Sequence, residues 1–176
     1  MTDPVASIII PAKNEASHIR ACLDAIFSQD VDAPFEVILI DSGSTDGTPD
    51  IVAGYDVRLH QIRPEDFGHG RTRNLGARMS LAPVLVFLNA DAAPTHSGWL
   101  RGLISELEPP KVAGAYGRQI ARDDAYPMER FFITLPAQVQ FKANMIVFSF
   151  DRRKRALFCL LWTADVLHIL FFYLHF

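Results

Sequence analysis

Four short apolar runs set what this chain can fold into. Residues 5–10 (VASIII), 35–40 (FEVILI), 57–62 (VRLHQI) and 84–88 (VLVFL) are too short for helices and rich in β-branched side chains. They read as strands, the first of them stopped by Pro11. Between them the spacing turns helical. Ile19, Leu23, Ile26 and Phe27 recur on one helical face behind Asn14, which reads as an N-cap. Thr48-Pro49 reads as a cap followed by a first-turn proline, and a third helix is expected over residues 71–80. Strand alternating with helix predicts an α/β fold, a Rossmann-like and mainly parallel sheet flanked by helices and joined by right-handed crossovers. Such sheets bind ligands beyond the carboxyl ends of their strands, where the strand order reverses. The loops after Ile10, Ile40 and Leu88 are therefore where chemistry is expected.

The character of the chain changes along its 176 residues. All ten glycines lie at or before Gly117, whereas nine of the thirteen phenylalanines lie at or after Phe131. Residues 1–130 carry 12 basic and 18 acidic groups, and residues 131–176 carry 5 and 2. This divides the chain into an acidic α/β body, residues 1–132, and a basic, aromatic tail, residues 133–176, expected to be apolar and helical. A net charge of −3 offers no general basic face, so nucleic acid is not an expected partner. With Cys22 and Cys159 the only cysteines, and no secretion signal in the opening MTDPVAS, the reducing cytosol is the expected compartment.

Each loop admits a plain reading beside a functional one. After the first strand comes Pro11-Ala12-Lys13-Asn14-Glu15, in which Asn14 and Glu15 could simply cap the helix. After the second comes Asp41-Ser42-Gly43-Ser44-Thr45-Asp46-Gly47-Thr48, composed of turn formers. Asp41 nevertheless sits where a buried strand ends, and a buried carboxylate is costly unless it is hydrogen-bonded; ligand N–H groups would be one partner. After the fourth strand, Asn89 and Asp91 flank Ala90, and an extended chain would put both side chains on one face. Mg²⁺ takes one or two carboxylates plus phosphate oxygens, so Asp91 is the candidate metal ligand, and Asn89 could add a carbonyl or hold a water. A turn cap is the alternative. Arg71 and Arg73 stand in FGHGRTRNLG at a helix start, a combination that suits a bound anion, with a merely solvated helix end as the equal alternative. The near-fingerprint G-H-G-R-T-R lacks its third glycine and a strand directly before it, which disfavours nicotinamide and flavin cofactors.

Taken in order, SIIIPAKNE, VILIDSGSTDGT, GRTRNLGA and VLVFLNADA resemble family 2 glycosyltransferases of the GT-A fold. FGHGRTRNLGA and the later YGRQIARDDAYPMERFF resemble rhamnosyltransferase-like members, the likeness running from Val5 to about Phe132. The resemblance implies transfer of a sugar, such as rhamnose, from a nucleoside diphosphate sugar to a glycan or lipid-linked acceptor, with inversion. It implies a nucleotide-sugar pocket drawn from Pro11, Asn14, Glu15, Asp41, Ser42, Gly43, Arg71, Arg73 and Asn89, and Mg²⁺ or Mn²⁺ held at Asp91. Asn89 stands where the family's metal element has its first acid, which removes one negative charge.

No general base is assigned. The family's acidic motif is often Glu-Asp, and the only such pair here, Glu65-Asp66, precedes the metal loop. Asp123, Asp124, Glu129, Asp151 and Asp165 follow it without a matching context. Residues 156–176 contain 17 apolar residues of 21 behind the basic cluster 152–155. Three readings of this tail stay open: a helix contacting the cytoplasmic membrane face, a helix packed on the body, or a segment outside the family pattern. A non-catalytic, truncated remnant that binds nucleotide sugar or a partner protein is the alternative to an enzyme.

Overall fold

The computed structural model describes residues 3–109, 112, 114–121, 125–134 and 147–149. The elements run β1 (Ala6–Ala12), α1 (Ile19–Phe27), β2 (Phe35–Asp41), α2 (Thr48–Val52), β3 (Arg58–Gln61), a 3-10 turn (Pro64–Asp66), α3 (His69–Met79), β4 (Val84–Phe87), α4 (Trp99–Ser105), β5 (Gly114–Ala115), α5 (Pro127–Thr134) and β6 (Val147–Ser149). They build one six-stranded sheet in the order β3-β2-β1-β4-β6-β5. The first four strands are parallel to one another, and β6 runs antiparallel to both β4 and β5. The order reverses between β1 and β4, so the crevice between their carboxyl ends is the expected ligand position.

Period-two alternation divides the core between the two sheet faces. Ile8, Ile10, Val37, Leu39, Val86 and Leu88 pack with Ile19, Leu23 and Ile26 of α1, Val52 of α2, and Trp99, Leu100 and Leu103 of α4. Ile9, Leu85 and Phe87 face the other way, against Ala77 of α3. Full burial of each such branched side chain contributes about 1.5–3 kcal/mol. The sheet is held here by α3 at short range: its buried residues are the small Thr72 and Gly76, and a Cβ at Gly76 would stand 2.3 Å from Ile9 Cγ2.

Three local expectations are corrected. Pro11 does not stop β1, which continues to Ala12 with Pro11 opposite Ile40. Ile9 turns its carbonyl to Leu88 N and Ala12 turns its to Ser42 N, so Pro11 faces the β4 side, where the ladder ends at Ile9 and a residue without an N–H does not carry it further. Asn14 does not cap α1, which begins at Ile19 behind His18. Thr48 is the first residue of α2 rather than its cap, Gly47 taking the cap position.

Three residues of the span read as an apolar helical tail, Val147–Ser149, are strand and pair with β4. Val and Phe flanked by further apolar residues suit a pleated surface as well as a helix. Residues 156–176, for which membrane contact was one of three open readings, lie outside the described residues. No helix among the described residues is long and apolar enough to cross a membrane.

At the amino ends of the strands, Glu36 of β2 ties three segments together. Its carboxylate accepts from the Ser7 hydroxyl, from Leu81 N at 2.6 Å and from Arg58 Nη1 at 2.6 Å. Burial pushes this carboxyl up, but the three donors outweigh burial and hold it below the ordinary carboxylate range. A group depressed in the folded state stabilises the fold above its unfolded pKa, and that contribution is lost as pH falls through the folded value. Glu36→Gln should therefore lower stability by about 1–2 kcal/mol at neutral pH. In urea titrations the gap between variant and parent should close below about pH 4. A gap that is constant with pH would show that the ionised carboxylate is not what matters.

Candidate functional site

The loops after β1 and β2 are interlocked. Asn14 adopts a left-handed backbone, φ 56°, which turns its amide group toward the second loop. Asn14 N donates to Ser44 Oγ at 2.8 Å, and Thr45 N donates to Asn14 Oδ1 at 2.9 Å. One residue on, Glu15 N donates to Thr48 Oγ1 at 2.9 Å, and Ala16 N donates to Asp46 Oδ2 at 2.9 Å. Asp46 Oδ1 also accepts from the Thr48 hydroxyl at 2.6 Å. That hydroxyl, followed by Ala16 N–H, holds the Asp46 carboxyl below the usual range.

Asp41 lies beneath this lock, 1% exposed. Its carboxylate accepts from Ser44 N at 3.2 Å and from the Ser44 hydroxyl, so its cost of burial is met largely within its own loop. Ser42 is buried beside it with a hydroxyl that has no protein partner among the described residues, leaving one unspent donor there. Gly43, at φ +82°, passes so close to Pro64 that a Cβ would stand 2.8 Å from Pro64 Cγ. Only glycine suits that position on both counts.

Across the crevice the β4 loop behaves differently from its sequence reading. Ala92 N donates to Asn89 O at 3.1 Å, closing a turn, so the chain is not extended through Asp91 and strand alternation does not place its side chain. Asp91 is exposed. Asn89, half-buried on the α3 side, accepts from Arg73 Nη2 at 2.9 Å. Arg73 is half-buried, and burial lowers its pKa. Arg71, two residues earlier, is exposed and lies within electrostatic range of Asp66 instead. Glu65 and Asp66, the chain's single Glu-Asp pair, are both bound to Arg63.

Cys22 shows how near the β1 and β4 loops come. Its thiol is pushed up to about 12, by burial first and then by the Asp91 and Glu15 carboxylates. It is an inert core group whose pKa records two acids from different loops. The structure thus brings Asn14 and Glu15 to the second loop, Glu15 and Asp91 to the surroundings of Cys22, and Arg73 to Asn89. It does not bring Arg71 to that group, and Pro11 is a half-buried ladder residue of β1. Ser44, Asp46 and Thr48 were missed as positioning residues. Their bonds span 30 to 33 residues, a distance local patterns do not carry.

The donor set limits how a divalent ion could be held. Among the described residues no three His, Cys, Asp or Glu side chains gather, and Asn89 Oδ1 is engaged by a guanidinium. Asp91 therefore fits such an ion only as a single carboxylate, with phosphate oxygens and water completing the shell.

The sequence model of glycosyl transferase family 2 matches residues 7–161. The O-antigen chain rhamnosyltransferase RfbN of Salmonella typhimurium is 36% identical over 124 residues, covering 69% of this chain and 39% of its own length. The glycosyltransferase AglE of Haloferax volcanii is 38% identical over 111 residues, covering 60% and 36%. Among solved structures, the mannosyltransferase PcManGT of Pyrobaculum calidifontis, in complex with GDP-Man and Mn²⁺, superposes with a TM-score of 0.63 at 26% identity, covering 85% of this chain and 45% of that one. The chain therefore spans less than half the length of each of these relatives.

Proposed function

The chain belongs to glycosyl transferase family 2, and on that premise we propose that its carboxyl rim binds a nucleoside diphosphate sugar and transfers the sugar, such as rhamnose, to a glycan or lipid-linked acceptor with inversion at the cytoplasmic face. The observation that carries this reading is the convergence of the loops after β1, β2 and β4 at the point where the strand order reverses. PcManGT, with GDP-Man and Mn²⁺ on a similar fold, supports the donor class, and RfbN supports the sugar and the acceptor class.

Each group has a task under this reading. Asn14, Glu15, Asp41, Ser42 and Gly43 form the nucleotide side, with Pro11 as its floor. Asp41 keeps acceptor capacity for base N–H groups because a carboxylate offers more lone-pair directions than Ser44 uses. Arg73 faces the diphosphate side with Asn89, and the exposed Arg71, two residues earlier, stands outside that group. Asp91 would hold Mg²⁺ or Mn²⁺, which supplies positive charge where the leaving diphosphate becomes more negative. As the bond to the anomeric carbon breaks, charge grows on the phosphate oxygens, so a fixed guanidinium there stabilises the transition state more than the bound donor.

Titration calorimetry with UDP, GDP and dTDP tests donor binding, and release of nucleotide in the presence of glycan acceptor tests transfer. Failure to bind any of the three overturns the reading; binding without transfer favours the remnant that only binds nucleotide sugar. Asp46→Ala should weaken nucleotide roughly tenfold with little change in melting, because the lock preorganises both loops without touching the ligand. Unchanged affinity would mean that the loops hold their geometry without it.

A further inference from the structure

Three arginines of the body hold carboxylates at ion-pair distance. Arg58, Arg63 and Arg101 are paired with the carboxylates of Glu36, of Glu65 and Asp66, and of Asp30. Arg73 is more buried than these yet has no carboxylate within ion-pair distance among the described residues. Among the described residues its guanidinium donates to the neutral side-chain carbonyl of Asn89. A guanidinium has five N–H donors in a planar fork that matches phosphate oxygens, so four remain without a protein acceptor among the described residues. A cation withdrawn from water and left uncompensated favours any anion that can reach it.

We propose that Asn89 sets the charge of this rim: because an amide carbonyl, not a carboxylate, holds the Arg73 guanidinium, a full positive charge remains available for a diphosphate, and binding depends only partly on divalent metal. This rests on the reading that the chain binds a nucleoside diphosphate. Asn89 is then a positioning residue that aims Arg73 without neutralising it, and the same atom is withheld from metal. The side chain keeps its shape in Asn89→Asp, but the new carboxylate would close a charge-assisted pair with Arg73 and add a second acid near Asp91. One isosteric change should move the positive charge from the protein to the metal.

The test is calorimetry with UDP, GDP, dTDP and inorganic pyrophosphate on the parent chain, Asn89→Asp and Arg73→Gln, each with Mn²⁺ or with EDTA. Thermal melting confirms that the variants are folded. The parent should lose no more than about tenfold in affinity when Mn²⁺ is removed. In EDTA, Asn89→Asp should lose about 10- to 100-fold against the parent, and with Mn²⁺ it should return to within a few-fold. Arg73→Gln should be weak without Mn²⁺, and unlike Asn89→Asp it should gain no extra dependence on the metal. Pyrophosphate following the same order supports a charge read at the phosphates; an effect confined to nucleotides overturns that placement. Equal metal-free affinity in parent and Asn89→Asp overturns the proposal while leaving donor binding intact. A parent that binds none of the four ligands overturns the functional reading itself, and the proposal with it.

Discussion

Asp91→Ala should reduce sugar transfer by roughly 100- to 1,000-fold, the scale on which enzymes lose rate when a group that stabilises developing negative charge is removed. Asp91 is exposed, on a turn, and its side chain makes no hydrogen bond or ion pair among the described residues, so the melting temperature should stay within the range of an ordinary surface change. Binding should respond differently from rate. Arg73 remains in place, so nucleoside diphosphate should still bind in EDTA with about the parent affinity. The parent's gain on adding Mn²⁺ should disappear. Calorimetry with and without Mn²⁺, run beside a transfer assay, separates the two effects. If Mn²⁺ still strengthens binding in the variant, the ion is held elsewhere and the assignment of Asp91 fails.

Gly76→Val should be the most destabilising single change in the body, at about 3 kcal/mol or more, and Gly76→Ala should cost about 1–2 kcal/mol. Alanine improves helix propensity by about 1 kcal/mol over glycine, which works in the other direction. Packing decides the sign. The new Cβ would stand 2.3 Å from Ile9 Cγ2 and 3.3 Å from Ile40 Cδ1, and both isoleucines are fully buried in the sheet. The Ile9 methyl is part of a β-branch on a central strand and cannot swing clear as a long side-chain end would. The helix must lift instead. Arg73 lies three residues before Gly76 on α3, so the lift should also pull its guanidinium from Asn89 and weaken metal-free nucleotide binding. Urea unfolding of Gly76→Ala, Ile9→Ala and the double variant provides the check. Room made by Ile9→Ala should leave the double variant more stable than the summed losses by about 0.5–3 kcal/mol. Strict additivity would show that this contact is not where the cost arises.

Sequence periodicity carried the parallel body far. β1, β2 and β4 are legible because Ile8 to Ile10, Val37 to Ile40 and Leu85 to Phe87 are buried on both faces and read as continuous apolar runs. β3 is shorter than residues 57–62 suggest, since Arg58, Leu59 and Gln61 are exposed on an edge strand. α4 escaped notice because its buried positions Trp99, Leu100 and Leu103 make one short stripe. In the site, Asp41 and Asp91 were legible as acids in loops after strands, and Arg73 as a cation near a helix start. The partners were not: Asn14 with Thr45, Asp46 with Ala16 and Arg73 with Asn89 are decided by strand order and helix placement, which exist only once the chain has folded.

The antiparallel strand β6 bears on any attempt to trim this protein. Residues 147–149 lie far along the chain yet occupy the slot beside β4, with Val84 opposite Ser149 and Val86 opposite Val147. A chain cut at residue 132 would leave a row of bare peptide groups on an apolar strand, the kind of surface that recruits foreign strands. The same cut would remove the neighbour that keeps β4 interior just before it delivers Asn89 and Asp91. The smallest unit that keeps this sheet intact thus includes a late segment whose sequence bears none of the loop motifs.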